Sequence, residues 1–168
     1  MIINGRNLLG YAPIVGMERE KLTNNGMSYG LSEAGYDIRI KQDVKFIPMP
    51  DGRSVVQVHD GVELVSHADG RFCLASSIER FEMPANLVGY VKDKSSWARQ
   101  GLSVFNTVIE PGWKGFLTLE LVFHGNVPVH IPAGAPIAQV LFHLTQSPAY
   151  YQGKYQDQAD EPVMAKKV

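Results

Sequence analysis

Sixteen glycines and ten prolines are spread along this chain rather than clustered, and they leave no long uninterrupted apolar segment. Between them lie short runs rich in Val, Ile, Phe and Tyr: Tyr36–Ile47, Ser54–Val58, Val62–Val65, Phe72–Ala75, Leu87–Val91, Leu102–Ile109, Phe116–Phe123, Val127–Ile131 and Ile137–Leu144. Turn-forming sequences separate them, namely Pro50-Asp51-Gly52, Asp60-Gly61, Asp69-Gly70, Pro111-Gly112, Gly125-Asn126 and Pro132-Ala133-Gly134. Many short strands punctuated in this way predict an all-β barrel or sandwich. Two short helices are expected beside the strands, one within Gly5–Leu22 and a single turn at Ser95–Gln100. No repeat, low-complexity tract or linker divides the chain, so residues 1–168 read as one domain with a polar tail at Asp157–Val168.

The bulk numbers exclude several classes. An apolar fraction of 45% and a charged fraction of 20% are those of an ordinary globule. A net charge of −1 gives no bulk attraction to nucleic acid or an anionic membrane. No stretch approaches the ~20 apolar residues of a membrane span. The first residues lack the basic region and apolar block of a signal peptide, so a cytoplasmic location is expected. With Cys73 the single cysteine, neither an intrachain disulfide nor a multi-cysteine zinc site can form. The five histidines show no HxH or HxxxH spacing, and no protein-bound catalytic metal is expected.

One residue breaks the apolar pattern. In Phe116–Phe123, alternation places Leu117, Leu119, Leu121 and Phe123 on one face and Phe116, Thr118, Glu120 and Val122 on the other. A carboxylate there is costly unless paired or used. Partial burial would raise its pKa, as suits a general acid/base near neutrality; a half-wet face or an interface salt bridge is the alternative. Lys94-Ser95-Ser96-Trp97-Ala98-Arg99 places Ser95 and Arg99 on one face of a helical turn. Its hydroxyls, N–H groups and cations could hold a phosphate, or could simply cap a solvated turn. Glu110 ends a strand before the Pro111-Gly112-Trp113-Lys114-Gly115 turn; Trp113 could stack on a base or plug the core. The aromatic and amide-rich segment Tyr150–Gln158 could close over a ligand or dock as a strand.

Taken in order, these segments resemble the family of trimeric dCTP deaminases and dUTPases. Ser32–Arg39 resembles the family's GYDxR motif, and Lys94–Arg99 with Gly101-Leu102 its RSSxAR.GL motif. Val108–Gly115 resembles IDPGWxG, Pro132–Val140 resembles PGxxIxQL, and Gly153–Gln158 resembles the deaminase tail GKYxxQ. The resemblance implies a distorted jelly-roll or β-clip-like barrel, a homotrimer with active sites between subunits, and a tail (about residues 150–168) that closes over the nucleotide. It also implies Mg²⁺ arriving with the triphosphate and no metal held by the protein.

At Thr118-Leu119-Glu120 the chain carries the glutamate of the deaminase branch, and it lacks the glycine-rich ending of simple dUTPases. The resemblance therefore implies deamination of dCTP, with Glu120 as proton shuttle and Ser95 and Arg99 as its orienting partners. It implies contacts to the nucleotide from Lys94, Ser96, Thr107, Glu110, Trp113, Thr118, Gln139, Tyr151, Lys154, Tyr155 and Gln158. A dUTP diphosphatase, alone or combined with deamination, is the alternative; a non-catalytic nucleotide binder is a lesser one. Two departures stand out. Glu110 replaces the family's usual aspartate, and Phe105–Ile109 is shorter than the usual base-reading hairpin and lacks its arginine. A shorter hairpin leaves room for a 5-modified cytosine.

Overall fold

Alternate residues of Leu117–Phe123 are buried, from Leu117 at 9% exposed to Leu119 and Leu121 at 0%, as the period-two pattern requires. The same rule builds most of the molecule. The computed structural model describes residues 1–24 and 26–167. In chain order these form β1 (Ile2–Ile3), the helix α1 (Asn7–Tyr11), β2 (Lys21–Asn24), β3 (Met27–Leu31), β4 (Tyr36–Arg39), β5 (Asp43–Pro48), β6 (Ser54–Asp60) and β7 (Glu63–Asp69). There follow β8 (Phe72–Glu82), β9 (Leu87–Asp93), the turn of helix α2 (Ser95–Ala98), β10 (Leu102–Val104), β11 (Val108–Ile109), β12 (Lys114–Phe123), β13 (Val129–Ile131) and β14 (Pro136–Leu144). The molecule is an all-β protein of the jelly-roll kind, with antiparallel sheets and little helix.

The largest sheet runs β11-β9-β14-β4-β3-β2, with β1 also paired to β14. A second runs β10-β12-β8 and a third β13-β5-β6-β7. Their inner faces share one apolar core that includes Tyr36, Phe46, Phe81, Phe123 and Phe142, all at most 1% exposed. Each such burial contributes about 1.5–3 kcal/mol.

Several sequence expectations are corrected. Tyr36–Ile47 is two strands, because its alternation continues while its partners change: β4 pairs with β14 and β3, β5 with β6 and β13. Leu102–Ile109 likewise divides, with β10 joining β12 and β11 joining β9 in another sheet. Phe72–Ala75 extends to Glu82, since the polar residues that seemed to end it are buried and satisfied. Ser77 Oγ accepts from Leu117 N at 3.0 Å and donates to Glu79 O at 2.8 Å. The Glu79 carboxylate accepts from Arg39 N at 2.8 Å and Arg39 Nε at 2.9 Å. Burial pushes the Glu79 carboxyl up, and these bonds pull against that rise. The hairpin β2–β3 escapes the apolar-run reading because its residues are mostly polar and half-exposed. Of Gly5–Leu22, only Asn7–Tyr11 is helical.

Candidate functional site

Strand β12 lies between β10 and β8, with Glu120 opposite Leu74 of β8. Its outward face therefore carries Thr118 and Glu120 beside the apolar side chains of Phe72 and Leu74. These residues line a cavity of about 520 Å³ that the loop after β10 (Asn106, Thr107), the start of β11 (Val108), Glu110, Trp113, Tyr151, Tyr155 and Gln158 complete. Glu120 is half-buried, and desolvation holds its carboxyl above the ordinary glutamate value. Among the described residues no ion pair engages it. A carboxyl raised by burial and left uncommitted can take and return a proton at a pH above the ordinary glutamate range.

The C-terminal segment forms one wall of this cavity on its own chain. Trp113 is 6% exposed and packs tilted on Phe81, and its Nε1–H donates to Tyr155 O at 2.6 Å. The core reading of Trp113 is thus realised, with one edge left at the cavity. Gln156 Oε1 accepts from Lys114 N at 2.8 Å, and its Nε2 donates to Gly112 O at 3.0 Å. Phe116 N donates to Gln158 O at 3.1 Å, and Gln158 Nε2 and Val163 N both donate to Thr118 Oγ1. This close approach needs Gly115: at φ +135° it has a backbone that L side chains rarely adopt, and a Cβ would lie 2.6 Å from Gln158 N. Lys154 lies outside the cavity, where its Nζ donates to Lys166 O at 2.6 Å and sits over the Tyr155 ring.

A second, polar cavity of about 270 Å³ is lined by Ser28, Ser32, Asp37, Lys94, Ser95 and Gln139, among others. Asp37 is 3% exposed and anchors it. Lys94 Nζ donates to Asp37 Oδ2 at 2.9 Å and to Ser28 Oγ at 3.2 Å. Gln139 Nε2 donates to Asp37 Oδ1 at 3.2 Å and to Ser32 Oγ at 3.0 Å. Lys94 is therefore a paired, mostly buried cation rather than a solvated one. The α2 turn that carries Ser95 is pinned by Trp97, whose Nε1–H donates to Pro136 O at 2.7 Å. Ser95, Ser96 and Arg99 are exposed, and Ser96 and Arg99 line neither cavity.

One chain thus brings Glu120, Thr107, Glu110, Trp113, Thr118, Tyr151, Tyr155 and Gln158 to one place, and Lys94, Ser95 and Gln139 to another. Among the described residues no group of three His, Cys, Asp or Glu could hold a metal ion, and no helix is long and apolar enough to cross a membrane.

A dCTP deaminase-like family model matches residues 18–145, well over half of the chain. The chain belongs to the dCTP deaminase-like family. It is 36% identical to the dCTP deaminase of Campylobacter curvus, over 88% of this chain and 86% of that one. It is 35% identical to the dCTP deaminase of Protochlamydia amoebophila, over 79% and 77%. In fold it is similar to the 2'-deoxycytidine 5'-triphosphate deaminase of Agrobacterium tumefaciens, with TM-score 0.55 and 15% identity over 86% of this chain and 48% of that one. It is also similar to the dUTPase of EIAV, with TM-score 0.51 and 20% identity over 73% and 85%.

Within this dCTP deaminase-like fold, the first, second and fourth motif segments meet at the polar cavity. The third motif, the Thr118–Glu120 strand and the tail meet at the other. Sequence reasoning missed Asn106, Phe72 and Leu74 at the Glu120 cavity and Asp37 with Ser28 at the polar one. An Asp inside the apolar run Tyr36-Asp37-Ile38 carried the same signal as Glu120, a charge where burial is expected.

Proposed function

We propose that this chain hydrolyses dCTP to dUTP and ammonia, with Glu120 as general acid/base. The observation that carries it is a desolvated carboxylate, in no ion pair among the described residues, in a cavity of about 520 Å³, in a chain of the dCTP deaminase-like family. Glu120 takes a proton from water, and the oxygen bonds to C4 of cytosine. The carboxylic acid then protonates N3. A second proton passes by way of Glu120 from the new hydroxyl to the exocyclic nitrogen, the C4–N bond breaks, and ammonia leaves. A positioned acid/base contributes ~10²–10⁴ in rate. Ser95 and Arg99 orient Glu120 and the water, and such a charge-stabilising donor adds about 3–4 kcal/mol.

Ser95 and Glu120 line different cavities of one chain. That division supports an active site completed between subunits of a homotrimer, the α2 turn of one facing the Glu120 cavity of another. Lys94, Ser96, Gln139 and Lys154 then serve the phosphates, and Tyr151, Tyr155 and Gln158 cover the nucleotide as a closing tail. Mg²⁺ enters with the triphosphate, whose oxygens are the hard ligands it prefers. A cytoplasmic location goes with this reading, since its substrate is a free nucleotide.

A second reading, dUTP diphosphatase, would use Glu110, which lines the same cavity but stands where the family usually has aspartate. Incubation with dCTP, a 5-substituted dCTP and dUTP, each with Mg²⁺, separates the readings. Ammonia and dUTP from dCTP support the proposal. Pyrophosphate and dUMP from dUTP without ammonia from dCTP would replace it with the second reading. Preferred turnover of the 5-substituted nucleotide would assign the room left by the short Phe105–Thr107 loop.

A further inference from the structure

The outer edge of β12 is covered in three pieces. Strand β10 pairs with Leu121–Phe123, and the tail residue Gln158 takes Phe116 N. Between them the chain turns away after Phe105, whose N–H donates to Glu120 O at 2.9 Å. The stretch from Thr118 to Glu120 would then have an open edge. A side chain fills it: Asn106 Nδ2 donates to Thr118 O at 2.6 Å, and Glu120 N donates to Asn106 Oδ1 at 3.2 Å. The carboxamide offers one donor and one acceptor, as a strand residue would. Its orientation is fixed, because a carbonyl only accepts and an N–H only donates.

Both peptide groups flanking Glu120 are therefore held, one by Phe105 and one by Asn106. We infer that Asn106 is a positioning residue that sets the place of the Glu120 carboxylate by completing the edge of β12. The inference rests on the proposed role of Glu120. Without the carboxamide, Thr118 O and Glu120 N lose their partners at a part-buried edge, and β12 shifts or admits water there. A misplacement of ~1 Å costs up to ~10²-fold in rate.

The test compares Asn106→Ala, Asn106→Asp and Glu120→Gln with the unaltered chain on dCTP, with amide exchange at Glu120 followed by NMR. Asn106→Ala is expected to lower kcat about 10–100-fold, with KM changed little, and to speed exchange at the Glu120 amide. Asn106→Asp keeps the shape and the acceptor, so the Glu120 amide stays protected. It sets a carboxylate oxygen against Thr118 O and adds a like charge to the cavity, so the acid limb of kcat moves to higher pH.

Unchanged kcat in Asn106→Ala would overturn the inference. So would a fall in kcat with the Glu120 amide still protected, because Asn106 would then act on the substrate directly. If the unaltered chain and Glu120→Gln are equally inactive on dCTP, the proposed function fails. The exchange measurement still decides the inference: unchanged protection in Asn106→Ala overturns it.

Discussion

The two cavities of this molecule differ in how their charges are held. In the polar one, Asp37 is buried and both its oxygens are engaged, one by the Lys94 ammonium and one by the Gln139 amide. In the other, Glu120 is half-buried, raised by desolvation and unpaired among the described residues. A buried carboxylate with its partners organises the strands around it. One without them keeps its proton affinity for something that arrives from outside. Glu79 supports the distinction: it too is a strand carboxylate, it sits 5% exposed, and Arg39 takes both its oxygens.

The largest expected effect falls on the unpaired side. Glu120→Gln should reduce ammonia release from dCTP by ~10²–10⁴, with the circular dichroism spectrum unchanged. Mixing Glu120→Gln with Arg99→Ala should restore part of the activity if the proposed homotrimer forms, because some of its sites would then take an intact Arg99 from one chain and an intact Glu120 from another. Mixtures that stay as inactive as either variant would erase the division of the site between two chains.

On the paired side the effect is on folding. Glu79→Ala leaves Arg39 without its carboxylate and should cost about 2–3 kcal/mol in urea unfolding. The partial exposure of Arg39, at 26% of its side chain, holds the loss to this range. Trp113→Phe removes the donor to Tyr155 O and should cost about 1 kcal/mol while hastening proteolysis between Tyr150 and Gln158.

The smallest effect is in pH. The Glu120 carboxyl is raised in the folded chain, so the fold binds more protons than the unfolded chain between the ordinary glutamate value of about 4.3 and the raised one. Stability contributed by Glu120 therefore falls as pH rises through that window. Glu120→Gln should melt slightly above the unaltered chain at neutral pH, the gap closing below the window. Deamination runs the other way, since the base form is the active one: its acid limb should lie above the ordinary glutamate range. A melting difference independent of pH would remove desolvation as the cause.

Much of this was legible in the residues. The alternation of Leu117, Leu119, Leu121 and Phe123 located β12 and its buried face, because a strand half in water must alternate. The anomaly of Glu120 stood out against that background. The second half of β8 was not legible: Ser76, Ser77 and Glu79 read as the end of a strand, and only partners from β4, β12 and Gln42 allow them to be buried. Within Leu102–Ile109 the polar pair Asn106-Thr107 interrupts the apolar pattern, but nothing in the residues says that the two halves join different sheets.

Asn106 shows the same limit at the site, for its carboxamide has meaning only against the edge of a strand that follows it by a dozen residues. Local chemistry is written along the chain, so residue order alone identified the all-β class, the motif segments and Glu120 as an acid/base candidate. Which groups share a cavity depends on pairings between distant strands, such as Asp37 with Gln139 and Glu120 with Leu74. Only the tertiary structure decided that the motif residues separate into a paired cavity and an unpaired one, because long-range strand register, not spacing along the chain, sets which side chains meet.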